Sequence, residues 1–265
     1  MRITLLRNAT LVVEGADQRL VVDPFLAPPR RWPPLSLVRS RPALNPTVPL
    51  PDGYREQLVG ITGALVTHFR HGHADHLDGE GKRLLAGAGV PTACQPPDAR
   101  TLRRAGIDAH PVPPDRTIGL LGGELTSVPA LHGRGLVGRL MGPGVGFVLR
   151  LPAEPSLYLS GDTVLTDDVR AALEREQPDI AILHSGGAQL DIGSPILMTL
   201  EEQLEFVRLA RGRVIAVHLE ALDHCGITRA NLKHALEAAG ALDYVDIPAD
   251  GQTISVPATA TGREK

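Results

Sequence analysis

The chain has 265 residues, 43% of them hydrophobic, which is enough to bury a sizeable core in one large domain or two small ones. With 27 Lys and Arg against 30 Asp and Glu, a formal charge of −3, no long basic run and 3% aromatic content, nothing favours a nucleic-acid groove or an anionic membrane surface. A small soluble substrate is the expected partner, with no nucleic acid and no membrane.

The N-terminal region reads as a meander. Ile3 to Leu6, Thr10 to Val13 and Leu20 to Val22 are strand-like runs around the Gly15-Ala16-Asp17 turn, ending at Asp23-Pro24. Arg7 and Asn8 interrupt the apolar stretch before it reaches the length of a secretory signal, and Cys94 and Cys225 are too few for a disulfide framework, so a cytoplasmic location is expected. From Pro24 to Pro51 there are nine prolines, the only tryptophan, Trp32, and little periodicity, which predicts a long loop, read as a lid, as a contact in a homo-oligomer or as an ordinary surface excursion.

A strand at Ala64 to Thr67 leads into a His-rich segment and a helix from Gly79 to Ala88. A short strand near Thr92, a helix from Pro97 to Ala105, and strands at Thr117 to Leu121, Leu125 to Val128, Val145 to Leu151 and Ser156 to Leu159 follow. The second half alternates cleanly: helix Asp167 to Glu176, strand Asp179 to Leu183, and helix Thr199 to Ala210 opened by the Thr199/Glu202 capping box. Strand Arg213 to Val217, helix Thr228 to Ala239 and strand Thr253 to Val256 close the pattern. It predicts an α+β fold with two mixed sheets face to face and helices outside, one domain over residues 1–257, with 258–265 as a polar tail.

The chemistry gathers at His71-Gly72-His73-Ala74-Asp75-His76. Alternate side chains of an extended segment point the same way, so His71, His73 and Asp75 share a face and His76 follows at the turn into the helix. Imidazole and carboxylate donors suit zinc first, with manganese or iron also compatible. One tetrahedral ion cannot use all four and stay open, so two divalent ions are expected, His71 and His73 on one and Asp75 and His76 on the other. Solvated loop histidines are the bland alternative, but three His and one Asp within six residues after a strand make a dense cluster for chance. His68 competes with His71 for the first position; an odd spacing from His73 argues against His68 in a regular strand, and a bulge would reverse that argument.

The segment HGHADHLD, residues 71–78, resembles the H-x-H-x-D-H motif of the metallo-β-lactamase superfamily. The resemblance implies an αβ/βα four-layer sandwich and three further metal ligands: His132 after a strand, Asp162 of Gly161-Asp162-Thr163 bridging the two ions, and His218 at the end of a buried strand. Taken alone, His132 would be a lone strand-end histidine and Asp162 an ordinary turn residue. The family usually has Thr-His-x-His, whereas here Thr67-His68-Phe69 precedes Arg70-His71, which puts the first ligand in question. His224 is the rival of His218 and is otherwise placed, with Glu220, behind a ligand or against substrate. Within the superfamily, Val21-Val22-Asp23-Pro24 resembles the group of L-ascorbate 6-phosphate lactonase, where the Asp-Pro turn lies near the metals, so Asp23 is expected to support a ligand. His184, before Ser185-Gly186-Gly187, is read equally as a substrate contact and as a packed strand-end residue, while His110 and His234 read as structural or surface residues.

The expected activity is hydrolysis by a metal-bound hydroxide available at neutral pH, with Asp75, His224 and His184 as candidate catalytic groups. A small lactone or carboxylic ester, anionic and in one variant phosphorylated, is the substrate that the resemblance implies; Arg70, Arg134 and Arg139 read first as solvated surface residues, and of the three Arg134 is the favoured anion contact. A phosphodiesterase or nuclease, a β-lactamase, and a metal-binding sensor or scaffold without turnover are the competing readings.

Overall fold

The computed structural model describes residues 1–257, so the tail expected at 258–265 lies outside the described residues. Strands β1 (Arg2–Arg7), β2 (Thr10–Gly15) and β3 (Gln18–Val22) form the N-terminal meander, turning at Asn8 and at Ala16-Asp17, all three with positive φ. The third strand then pairs in parallel with β4 (Gly63–Val66), which continues through β5 (Thr92–Cys94) to β6 (Ala109–Pro111). The crossovers carry α1 (Tyr54–Gln57), α2 (Gly79–Ala88) and α3 (Pro96–Arg104).

The second sheet starts from the antiparallel strands β7 (Thr117–Leu120), β8 (Gly123–Leu131) and β9 (Pro143–Arg150), with α4 (Gly135–Met141) between the last two. It continues through β10 (Leu157–Leu159), β11 (Ile180–His184), β12 (Arg213–Val217) and β13 (Val245–Asp246), linked by α5 (Asp167–Glu176), α6 (Leu200–Leu209) and α7 (Arg229–Ala238). Strand β14 (Thr253–Ser255) returns to the first sheet beside β1, giving two seven-stranded sheets among the described residues.

Period-two alternation builds the layers. Leu5, Leu11, Val13, Leu20 and Val22 face Phe147, Leu149, Leu157, Ile182 and Ile215 across the sheets, while Val12, Val21 and Val66 point outward onto Leu85 and Leu102 of the first helix layer. On the other side Tyr158, Ala181, Leu183 and Val214 meet Val169, Phe206 and Leu232. Helix, sheet, sheet, helix is the four-layer α+β sandwich that the strand pattern predicted. No helix among the described residues is long and apolar enough to cross a membrane.

Four elements, α1, β6, α4 and β13, were not in the sequence expectation. His110, placed in a polar connection, lies in β6, and the Gly-rich stretch after His132 contains α4. Its glycines hid this helix, and one of them is required by packing, because a Cβ on Gly138 would collide with the Gly133 carbonyl.

The Pro-rich loop is anchored at both ends. Arg7, fully buried, donates to the carbonyls of Phe25 and Ala27 at 3.1 and 3.0 Å and to that of Val48 at 3.1 Å. Trp32 stacks on Phe25 with ring centroids 5.1 Å apart, and the Asp223 carboxylate accepts from Leu35 N and from Asn45 Nδ2.

Candidate metal centre

The first sheet supplies one half of the centre and the second sheet the other. Strand β4 stops at Val66, and His71 and Gly72 then take φ values of 59° and 97°, a turn that folds the chain back on itself. Across that turn His68 and His73 come together, with ring centroids 4.5 Å apart, and both approach His132 at the end of β8, at 5.3 and 4.7 Å. These three rings form one group whose ligand atoms lie within 4.8 Å of one another. Asp75, His76, Asp162 and His218 form a second such group.

Asp162 follows β10, and its Oδ2 is the point on which the rings converge. The Nε2 atoms of His76, His132, His218 and His68 stand 3.1, 3.5, 3.6 and 4.0 Å from it. Asp75 Oδ2 lies 3.6 Å from the Nε2 of both His76 and His218.

Each ring commits one nitrogen to the protein and leaves the other for the centre. His73 donates from Nε2 to the Met141 carbonyl at 3.0 Å, and His132 from Nδ1 to the Ile196 carbonyl at 2.7 Å. The Nδ1 of His76 meets Asp23 Oδ2 at 2.8 Å, that of His68 meets Thr67 Oγ1 at 3.1 Å, and that of His218 lies 3.7 Å from Cys225 Sγ. The Nε2 atoms of His68 and His218 are buried with no hydrogen-bond partner. A buried donor or acceptor left so costs about 1–3 kcal/mol, and a cation would relieve that cost. Oriented imidazoles around two carboxylates are the donor set that a pair of divalent ions needs, so the residues fit the group.

The electrostatics agree. Burial, reinforced by neighbouring rings, pushes His68 well below the usual imidazole range, and burial also lowers His73 and brings His132 to about 4, so these three rings are neutral with a lone pair to give. Burial works against charge on His76 and His218 as well, but there the carboxylates prevail: Asp162, Asp75 and Asp23 raise His76 to about 10, and Asp162 and Asp75 raise His218. Asp75 and Asp162 in turn stay ionised below the usual carboxylate range, because the cationic rings outweigh their burial. Positive charge is what this pocket demands.

One expected position stands apart from the groups. His71 is exposed, its ring packs over Gly142, and it joins neither group, while His68 takes the place beside His73 and His132. The parity argument assumed extended chain from 67 to 73; the left-handed turn at His71-Gly72 breaks that register. His68→Ala should therefore weaken metal uptake by more than ~10-fold, and His71→Ala should change it less than about twofold, as read by metal titration. Equal losses in the two variants would refute this register.

The other candidates are distributed as follows. His184 is buried, with Nδ1 2.6 Å from Asp162 Oδ1, and belongs to neither group. His224 is buried, its Nδ1 has no partner, and it also lies outside both groups. Burial lowers its pKa, against the pull of Asp75. Glu220 is tied to Arg229 at 2.6 Å, and Arg134 is drawn to Glu202 at 2.6 Å and to the Leu165 carbonyl at 3.1 Å, so the guanidinium assigned to an anion already has partners. Arg70 donates to the Pro97 carbonyl.

Asp23, at the end of β3 with φ 41°, accepts from Thr67 N at 2.8 Å and from Thr67 Oγ1 at 2.6 Å while holding His76. Asn8 was missed as a site residue. In the β1–β2 turn its Nδ2 donates to the Asp75 carbonyl at 3.2 Å, and its own carbonyl accepts from His218 N at 2.9 Å, so one residue braces both halves of the centre. The available signal was a polar pair, Arg7-Asn8, cutting an apolar strand run.

Comparison with known proteins places this geometry. The family model described as "Beta-lactamase superfamily domain" matches residues 18–219. The chain is 32% identical to the UPF0173 protein YddR of Bacillus subtilis, over 96% of this chain and 99% of that one. It is also 25% identical to a UPF0173 metal-dependent hydrolase of Methanosarcina mazei, over 90% and 91% of the two chains. Among solved structures, a possible metal-dependent hydrolase from Veillonella parvula superposes with a TM-score of 0.88 at 27% identity, covering 97% of this chain and 99% of that one. An isothiocyanate hydrolase from Delia radicum gut bacteria superposes with a TM-score of 0.85 at 28% identity, covering 97% and 100%.

Proposed function

This chain belongs to the metallo-β-lactamase superfamily, and from that membership we propose that it is a hydrolase working with two divalent cations, zinc first by donor type. His68, His73 and His132 would hold one, Asp75, His76 and His218 the other, with Asp162 between them. The observation that carries the reading is the convergence of four imidazole Nε2 atoms on Asp162 Oδ2 within 3.1–4.0 Å. When bound, such ions make water nucleophilic at neutral pH and polarise an electrophilic carbonyl or phosphoryl group.

The chain's own residues supply the rest. Asp75, at 14% the most exposed member of either group, is the carboxylate open to substrate and orients the attacking water through its oxygens. His224, buried with a free Nδ1 and neutral by its lowered pKa, is placed beside Asp75 and His218 to hydrogen-bond the substrate. Asp23 and Asn8 hold the two halves in register.

We assign the substrate to small lactones or carboxylic esters, the class suggested by the likeness to the L-ascorbate 6-phosphate lactonase group. A phosphorylated or otherwise anionic substrate finds less support, since Arg134 is paired with Glu202. A second reading is favoured by the isothiocyanate hydrolase, which is similar over nearly the full length of both chains. An isothiocyanate is also an uncharged electrophile attacked by water. The segments whose carbonyls hold His73 and His132 carry the exposed apolar side chains Leu136 and Ile192, which suit an uncharged substrate.

Protein loaded with zinc, then manganese, should be assayed on a lactone, a carboxylic ester, an isothiocyanate and a phosphodiester against metal-stripped protein. Metal-dependent turnover of one of the first three is expected. Turnover of the phosphodiester alone would move the assignment to a phosphodiesterase, and no turnover of any would leave the sensor or scaffold reading.

A further inference from the structure

We infer that His184 is a positioning residue: it ties up one oxygen of Asp162 and thereby reserves the other for both cation positions. The inference rests on the two-cation reading above.

Sheet register brings the two residues together. Strands β10, β11 and β12 are parallel neighbours, pairing Leu159 with Ile182 and His184 with Val217. Their C-terminal ends therefore lie side by side and present Asp162, His184 and His218 in one row, the end of a parallel sheet where ligands commonly bind. His184 is held there by its own backbone, whose N–H donates to Ser160 Oγ at 3.2 Å. Its side chain is 1% exposed.

The geometry divides the labour of Asp162 between its two oxygens. Oδ1 accepts from His184 Nδ1 at 2.6 Å, a short charge-assisted bond. Oδ2 alone faces the Nε2 atoms of His68, His76, His132 and His218. A carboxylate with both oxygens free can rotate and chelate one cation through both. Such rotation would withdraw Oδ2 from the other cation. The bond to His184 opposes that rotation, so Oδ2 stays between the two groups. His184 itself stands outside both, and its Nε2, buried and without a partner, has no role in holding Asp162.

Two substitutions separate positioning from simple packing. His184→Asn keeps an N–H donor close to where Nδ1 stands, and His184→Leu fills the space without one. Cobalt(II) is titrated into each metal-stripped protein, with visible absorption read at every step, and kcat and KM are measured on the substrate identified by the panel. Wild type and His184→Asn should take up two cobalt ions with the same spectrum. His184→Leu should bind one ion ~10–100-fold more weakly, with an altered absorption band and a fall in kcat at nearly constant KM. Should the Leu variant fail to fold, His184→Gln, whose donor is displaced by one carbon, takes its place with the same expectation.

Two ions bound by wild type and an unchanged titration in the Leu variant would overturn the role of His184 alone. Equal losses in the Asn and Leu variants would do the same, in favour of packing. A wild-type titration that ends at one ion would instead overturn the two-cation reading, and this inference with it.

Discussion

Asp162→Ala is expected to abolish uptake of both cations and to lower kcat/KM by more than ~100-fold, the upper end of the loss seen when only a partner behind a ligand is removed. The size follows from position. Asp162 is 3% exposed, its Oδ2 is the common neighbour of four imidazoles, and its Oδ1 holds His184. Removing it takes a shared ligand from both groups and strips His76 and His218 of the carboxylate that most strongly favours their charged form. Metal analysis of the purified variant and steady-state kinetics would check this. A variant that keeps one tightly bound ion and activity within tenfold of wild type would show that Asp162 is not shared.

Asp23→Ala should cost about 3–9 kcal/mol in the stability of the metal-free protein, since three buried donors lose their acceptor at ~1–3 kcal/mol each. These are Thr67 N, Thr67 Oγ1 and His76 Nδ1, at 2.8, 2.6 and 2.8 Å. For a domain whose total is ~5–15 kcal/mol this is a large share. The loss should also reach function, because Thr67 Oγ1 meets His68 Nδ1, so that one carboxylate orients rings of both groups. Metal affinity should fall ~10–100-fold. Urea unfolding with and without metal measures both effects, and a stability change below about 1 kcal/mol would contradict the network. Asp23→Asn should fall between, since its amide retains one acceptor oxygen.

Much of this architecture was legible because burial writes a period-two pattern. The meander, the parallel strands ending at Val66, His184 and Val217, and helices such as Asp167–Glu176 follow from apolar alternation and from caps such as Thr199 with Glu202. Helix α4 was not legible, since Gly135, Gly138 and Gly142 read as loop while serving close packing and a turn. At the centre, His73, Asp75 and His76 stood out by density alone. His132, Asp162 and His218 are single residues at strand ends and needed the family resemblance to be selected from other polar residues.

His68 could not be chosen from the sequence, because the choice depends on a left-handed turn at His71-Gly72, and in a segment with several histidines the parity of an extended chain gave no place to that turn. Asn8 and Thr67 escaped notice for a related reason. Their work is hydrogen bonding across elements far apart in sequence, Asn8 to Asp75 and His218 and Thr67 to Asp23, and a linear pattern holds no trace of that.

Crystals grown with zinc, with anomalous scattering recorded at the zinc edge, test the central claim most directly. Two peaks are expected, one among His68, His73 and His132, the other among Asp75, His76 and His218, with Asp162 Oδ2 between them. A single peak, or a peak ligated by His71, would contradict the account.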